Sequence, residues 1–307
     1  MRDLRLRVVR LSAKLLDGWV VAREIRSRIK ARIKALAGSI VEPSLVSILA
    51  GDDPASRAYL RNSEAACGEV GIGFRNLLLP AETSQDELEK VIRELNSDGS
   101  VTGILVHLPL PNRLDETTAM STISKDKDVD GLNPCNLGLL SYKNPRLVPC
   151  TANGIVVLLK YYGLAFAGKH AVIISRSKPV GRPLSQLLLN EDATVTICHS
   201  KTQGLADISK TADILITGIG RRDEFVVGSS MMKPGAVVVD VGTSMIGGKI
   251  VGDVDGEAAL RTVSYVTPVP GGVGPMTTTM LLFNALLAAC LQRHVEVGLG
   301  IEHLAAR

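Results

Sequence analysis

The chain has 307 residues, 35 Lys and Arg against 31 Asp and Glu, and only ten aromatic residues. Its length points to two domains, each able to bury a core without metal or disulfide staples, and 46% hydrophobic with 21% charged residues excludes a disordered or fibrous chain. A net charge of +4 is too dilute, and the aromatics are too few, to support a nucleic-acid partner.

Residues 1–11 carry Arg2, Arg5, Arg7 and Arg10 without an apolar run or a cleavage site, so they read as an extension ahead of the fold, with a weak targeting segment as the alternative. Ile25, Ile29, Ile33 and Leu36 recur at helical spacing, and SLVSILA at 44–50 reads as a short buried strand. A turn at 51–54 places Pro54 at the start of a helix that Gly71 stops. Ser84 with Glu87 forms a capping box ahead of Leu88, Val91, Ile92 and Leu95, and residues 101–108 read as the next strand.

From Lys169 onward strands alternate with helices: strands at 170–174, 193–198, 213–217, 236–241 and 264–267, helices at 182–190 and 205–211. That rhythm gives a parallel sheet with crossover helices. The fold class is therefore α/β with two domains. The N-terminal α/β catalytic domain covers residues 12–150 plus 277–295, and a Rossmann-like parallel-sheet domain covers 151–276. The last helix, expected over 277–291, packs back on the first domain, and the tail from residue 295 is expected to be disordered.

The most apolar run, 280–291, is well short of the ~20 residues that span a bilayer, so no membrane partner is expected. Cys67, Cys135, Cys150, Cys198 and Cys290 are scattered and odd in number, which implies neither a disulfide framework nor a metal site and suits a reducing, cytoplasmic setting. Cys150 lacks a paired base and reads as a buried small residue. His170, His294 and His303 show no ligand spacing.

Two segments stand out chemically. Ser175-Arg-Ser-Lys-Pro-Val-Gly181 joins a strand to a helix, where a doubly wound domain presents backbone N–H groups to phosphate, although Gly181 is its only glycine and an ordinary loop is an equal reading. The next strand ends in Cys198-His-Ser-Lys201 rather than the Asp or Glu that holds the ribose 2′-hydroxyl of NAD, so Arg176, Ser200 and Lys201 suit a 2′-phosphate and favour NADP. TPVPGGVGPMT at 267–277 packs three prolines and three glycines into a loop that lets backbone approach a flat ligand. By contrast, the two carboxylates of Asp128 and Asp130 fit a solvated turn as well as a site.

Together with LSAKLLDG (11–18), GDDPAS (51–56), GILVHLPLP (103–111), DKDVDGL (126–132), Pro149-Cys-Thr151, RSKPVGRP (176–183), TICHSKT (196–202), DVG (240–242) and GDV (252–254), these segments resemble the methylenetetrahydrofolate dehydrogenase/methenyltetrahydrofolate cyclohydrolase family, in order over roughly residues 12–291. The resemblance implies an NADP-dependent enzyme of one-carbon metabolism. It would oxidise 5,10-methylenetetrahydrofolate to the methenyl form and hydrolyse that to 10-formyltetrahydrofolate. It also implies a cytoplasmic homodimer with a small-molecule folate, polyglutamylated or not, in a cleft between the domains. By the same resemblance Tyr59 stacks along the pterin and p-aminobenzoate, Asp130 bonds the pterin edge, and Leu108, Pro109, Pro270, Gly271 and Gly272 line the folate pocket. The cofactor set it implies is Thr151, Ser175, Arg176, Ser177, Val180, Gly181, His199, Ser200, Gly218, Asp240, Gly242, Thr243 and Thr277.

Three positions depart from the family pattern. The family's Tyr-x-x-x-Lys reads Tyr59-Leu-Arg-Asn-Ser63 here, His107 stands where a Gln is expected, and Ser175 replaces a Gly. A serine hydroxyl cannot act as a cation or relay protons as a buried lysine does. Arg61, two residues away on the helix, faces elsewhere. The expectation is a dehydrogenase whose cyclohydrolase activity is strongly impaired. A fully bifunctional enzyme using His107 for proton transfer, a silent folate and NADP binder, and an unrelated Rossmann oxidoreductase are the alternatives.

Overall fold

The structure is a computed structural model and describes residues 13–299. The extension read at 1–11 and the end of the tail, including His303, lie outside the described residues.

The chain opens with β1 (Lys14–Leu15), α1 (Gly18–Ala35) and β2 (Ser44–Ala50). Asp17 caps α1 by accepting the N–H groups of Trp19 and Val20, and Val21, Ala22, Ile25 and Ile29 form its buried stripe. α2 (Pro54–Val70) starts at Pro54 with the Asp53 carboxylate on the Ser56 N–H, and stops at Gly71, whose φ of +88° is left-handed. β3 (Gly73–Leu79), not anticipated from the sequence, follows it, and then α3 (Gln85–Ser97) with the expected Ser84–Glu87 capping box. β4 covers Gly103–Val106, so His107 lies just beyond the strand. β2 pairs in parallel with β3 and β4, making a three-stranded sheet in the order β3-β2-β4. Two short helices, α4 (Glu116–Thr122) and α5 (Pro134–Ser141), complete this half.

α6 (Cys150–Tyr161) leads into the second sheet through β5 (His170–Ile174), α7 (Gly181–Asn190), β6 (Thr194–Cys198), α8 (Leu205–Ser209), β7 (Ile214–Thr217) and β8 (Val237–Asp240). A hairpin of β9 (Ser244–Ile246) and β10 (Lys249–Val251) comes next, and then α9 (Gly256–Thr262), β11 (Tyr265–Val266) and α10 (Val273–Leu291). The sheet order is β1-β11-β8-β7-β5-β6, parallel throughout. The chain enters at β5, crosses to β6 on one side and then to β7, β8 and β11 on the other. That reversal sets a switch point between β5 and β7, the place where open α/β sheets take ligands.

Apart from shifts of one or two residues at element ends, three boundaries differ from expectation. Residues 14–15, placed with the first domain, form β1 and pair with β11, covering the outer edge of the second sheet. α10 begins at Val273 rather than 277: Pro275 falls in the first turn, where a missing N–H costs nothing. The tail is ordered at least to residue 299, because Arg32 donates to the carbonyls of Glu296 and Val297 and Leu299 is buried. α10 packs against α1, α2 and α6. By length and composition it could cross a membrane, but 83% of its apolar window is buried inside the fold, so its apolar surface belongs to the core.

Candidate active site

On α2, Tyr59 and Ser63 are one turn apart on the same face, and Arg61 is exposed on another. Ser63 is fully buried, and its Oγ and the buried Tyr59 hydroxyl have only each other for company, with no partner among the other described residues. Burial holds the Tyr59 phenol well above its ordinary pKa, and the nearby Asp130 charge adds to that. The His107 ring meets the Tyr59 ring edge-on, with centroids 5.7 Å apart and planes at 77°. Its Nε2 is 2.7 Å from Ser47 Oγ on β2, and burial pushes its pKa down to about 4, so the imidazole is neutral. The start of α2 is tied to the same loop: Ser56 Oγ, bonded to Asp53, also donates to the Leu108 carbonyl.

The structure separates the acidic pair that the sequence left open. Asp128 is 1% exposed and accepts from the N–H groups of Leu132 and Asn133 and from Asn136 Nδ2, so its carboxylate closes the 128–136 turn. Lys127 is spent likewise, with Nζ on the carbonyls of Leu95 and Asp98 at the end of α3. Asp130 closes no turn, and its side-chain partner is the Cys150 thiol. Burial, with the Asp128 charge behind it, raises its carboxyl to about 7. Behind it, Cys150 donates to the Val129 carbonyl and burial raises its thiol far above the ordinary range, which leaves it inert.

The cofactor positions named from the sequence gather mainly at the carboxyl ends of the parallel strands. Ser175 to Gly181 follow β5, His199 and Ser200 follow β6, Gly218 follows β7, and Asp240, Gly242 and Thr243 end β8. Gly181 is required by close approach, since a Cβ there would lie 2.2 Å from the Ser175 carbonyl oxygen. Ser175 is buried and turns its hydroxyl onto Ser177 within the loop. Arg176, Ser200 and Lys201 are exposed. Asp240 carries a different load: its carboxylate accepts from the N–H groups of Gly242, Asp253 and Val254, and burial raises it to about 6. Asp253, to which the sequence reading gave no role, answers from the opposite loop by accepting from Thr217 Oγ1 and from the N–H groups of Ile219 and Gly220. The signal for it was present in the paired DVG and GDV segments.

Tyr59, Thr151, Val180, Asp240, Gly242, Thr243, Pro270, Gly271, Gly272 and Thr277 line one cleft of about 670 Å³ between α2 and the ends of the second sheet. Thr277 Oγ1 donates to Thr151 Oγ1 across it. Ser63, His107 and Asp130 lie outside that lining, Pro109 is exposed, and Leu108 lines a second cleft of about 490 Å³ between α4, α5 and α7. Trp19, Arg26 and Asn62 join the first cleft without having been anticipated.

A doubly wound parallel sheet with a phosphate-type loop, facing a second α/β unit across a polar and apolar cleft, defines the class of two-domain nucleotide-dependent enzymes. Residues 149–293 match the family model described as tetrahydrofolate dehydrogenase/cyclohydrolase, NAD(P)-binding domain, and residues 16–130 match that of the catalytic domain. The bifunctional protein FolD of Nitrosopumilus maritimus is 47% identical over 280 residues, 91% of this chain and 98% of that protein. The crystal structure of the bifunctional FolD methylenetetrahydrofolate dehydrogenase/cyclohydrolase from Campylobacter jejuni superposes with a TM-score of 0.88 at 43% identity, covering 91% of this chain and 99% of that one. The Trypanosoma brucei methylenetetrahydrofolate dehydrogenase-cyclohydrolase, solved with NADP cofactor and inhibitor, gives a TM-score of 0.86 at 36% identity, covering 91% and 98%. This chain belongs to the tetrahydrofolate dehydrogenase/cyclohydrolase family.

Proposed function

We propose that the protein oxidises 5,10-methylenetetrahydrofolate to the 5,10-methenyl form with NADP, and that its hydrolysis of the methenyl form to 10-formyltetrahydrofolate is strongly impaired. The residues present fit NADP: α7 begins with no capping side chain, no carboxylate follows β6, and Arg176 and Lys201 stand exposed at that edge for a 2′-phosphate. A nicotinamide held there would supply the acceptor for the hydride of the carbon bridging N5 and N10. The lone pairs of those nitrogens assist its departure, so the chain's own residues have only to orient the folate. Tyr59 offers its ring, Asp130 a carboxyl for the pterin edge, and the 268–272 loop its backbone.

The second activity is harder for this site. Water has to add to a cationic methenyl carbon and a proton has to be moved, and the observation that carries the proposal is that position 63 holds a buried, neutral serine. His107 does not fill the gap. With a pKa of about 4 and its Nε2 engaged by Ser47 it is a weak base and no imidazolium acid near neutral pH, which argues against the fully bifunctional reading.

The test is a side-by-side assay of both steps on one preparation. NADP reduction with methylenetetrahydrofolate should proceed, faster than with NAD, while methenyl hydrolysis should barely exceed the spontaneous rate. Absence of any cofactor reduction, despite binding of folate and NADP, would favour a silent binding protein. The same proposal includes a homodimer working in the cytoplasm and acceptance of polyglutamylated folate; light scattering of the purified protein checks the first.

A further inference from the structure

We infer that Trp19 is a specificity-determining residue of the cleft, forming its outer aromatic platform and holding the p-aminobenzoylglutamate end of the folate together with Tyr59. The inference rests on the folate reading above. One wall of the cleft is a face of α2, on which Tyr59, Asn62, Ala66 and Glu69 succeed one another at helical spacing. From Tyr59 to Glu69 that wall runs about 15 Å at ~1.5 Å per residue, so it suits an elongated ligand.

At the Glu69 end, Arg26 joins the wall to α1. Its Nη1 pairs with Glu69 Oε2 at 3.0 Å, its Nε donates to Thr279 Oγ1 of α10 at 3.0 Å, and its guanidinium stands 5.9 Å from the Trp19 ring. Arg26 is 9% exposed, so a buried and doubly anchored cation holds the indole in place. Trp19 is nonetheless 51% exposed and borders the cleft. The 268–272 loop comes up to its edge at Gly271, where φ is +114° and a Cβ would lie only 3.6 Å from Trp19 Cδ1. Ile250 of the β9–β10 hairpin, 45% exposed, borders the same cleft.

A single exposed apolar residue usually needs no explanation. This one is the only tryptophan in the chain, is fixed by a buried arginine, and continues the lining of the cleft that holds Tyr59. A flat benzoyl ring and its amide suit such a platform. Because Glu69 already pairs with Arg26, the charge of an added glutamate gains little from that arginine, so lengthening the glutamate tail should change affinity little.

Trp19→Ala and Trp19→Phe test this in steady-state kinetics. Trp19→Ala should raise KM for methylenetetrahydrofolate roughly tenfold, leaving kcat and KM for NADP unchanged, and Trp19→Phe should restore most of the loss. As a competing fragment, p-aminobenzoylglutamate should weaken in parallel, whereas pterin-6-carboxylate should not. An unchanged folate KM, or equal weakening of both fragments, overturns the inference. If the unaltered protein shows no dehydrogenase activity, the functional reading fails instead. Calorimetric binding of p-aminobenzoylglutamate to the three proteins then decides this inference alone, with unchanged affinity in Trp19→Ala counting against it.

Discussion

Ser63, His107, Asp128 and Asp130 show how differently similar residue types are used within one site. The replacement at position 63 was legible in the sequence because Pro54 and Gly71 fix the ends of α2 and put Ser63 one turn from Tyr59. The division of labour between Asp128 and Asp130 was not. Two acids two residues apart look alike until the chain from 132 to 136 folds back and claims one of them.

Two of these groups make opposite predictions about pH. His107 is unprotonated in the folded protein above about pH 4, whereas a free imidazole takes up a proton near pH 6.5. The unfolded chain therefore binds more protons in that window, and stability is lost as the pH falls from about 6.5 to 4. His107→Gln should flatten that part of the pH dependence in urea unfolding. Asp130 acts the other way: folded, it keeps its proton up to about 7, so it favours the folded state at low pH and costs stability as the pH rises from the usual carboxylate range to 7. Asp130→Asn should remove that decline, and an unaltered profile in either variant would contradict the assigned environment. Arg176→Ala should narrow the preference for NADP over NAD, read as the ratio of the two kcat/KM values.

At the scale of elements, α10 does most to hold the site together, and it is also where sequence and structure part. Glycine and proline at 271–275 read as a break, yet a proline in the first turn is compatible with a helix, so half of the distinctive loop is helical. β3 escaped notice because it is an edge strand that opens on Gly73-Phe-Arg-Asn76 and has an apolar run of only three residues, Leu77–Leu79. Within α10, Asn284 is fully buried and its Nδ2 donates to the carbonyls of Val129 and Val148, which flank Asp130 and Cys150. Asn284→Leu should destabilise the protein by roughly 1–3 kcal/mol in chemical denaturation, because the Val148 carbonyl loses its side-chain donor and the Val129 carbonyl is left with the weak Cys150 thiol alone. Gly181→Ala should raise KM for NADP and spare that for folate, since the added methyl would displace the Ser175 carbonyl, a backbone neighbour that cannot rotate away.

For the whole molecule, the alternation of strands and helices after Lys169 was enough to foresee a parallel second sheet, because crossover helices impose it. It could not show that residues 14–15 would complete the edge of that sheet, since two residues carry no periodicity. The cleft between the halves is shared by loops distant in sequence, and their meeting is a property of the topology. The near balance of charge over 307 residues likewise says nothing of the position on which the proposed function turns, the buried Ser63.

Whether the protein has one activity or two turns on that position, and placing a lysine there is the sharpest test. In Ser63→Lys combined with His107→Gln, the rate of methenyltetrahydrofolate hydrolysis above the spontaneous background should rise by roughly 10²-fold, the scale of a positioned acid-base group, while the dehydrogenase rate changes little. Hydrolysis that is already fast in the unaltered protein and no faster in the double variant would contradict it.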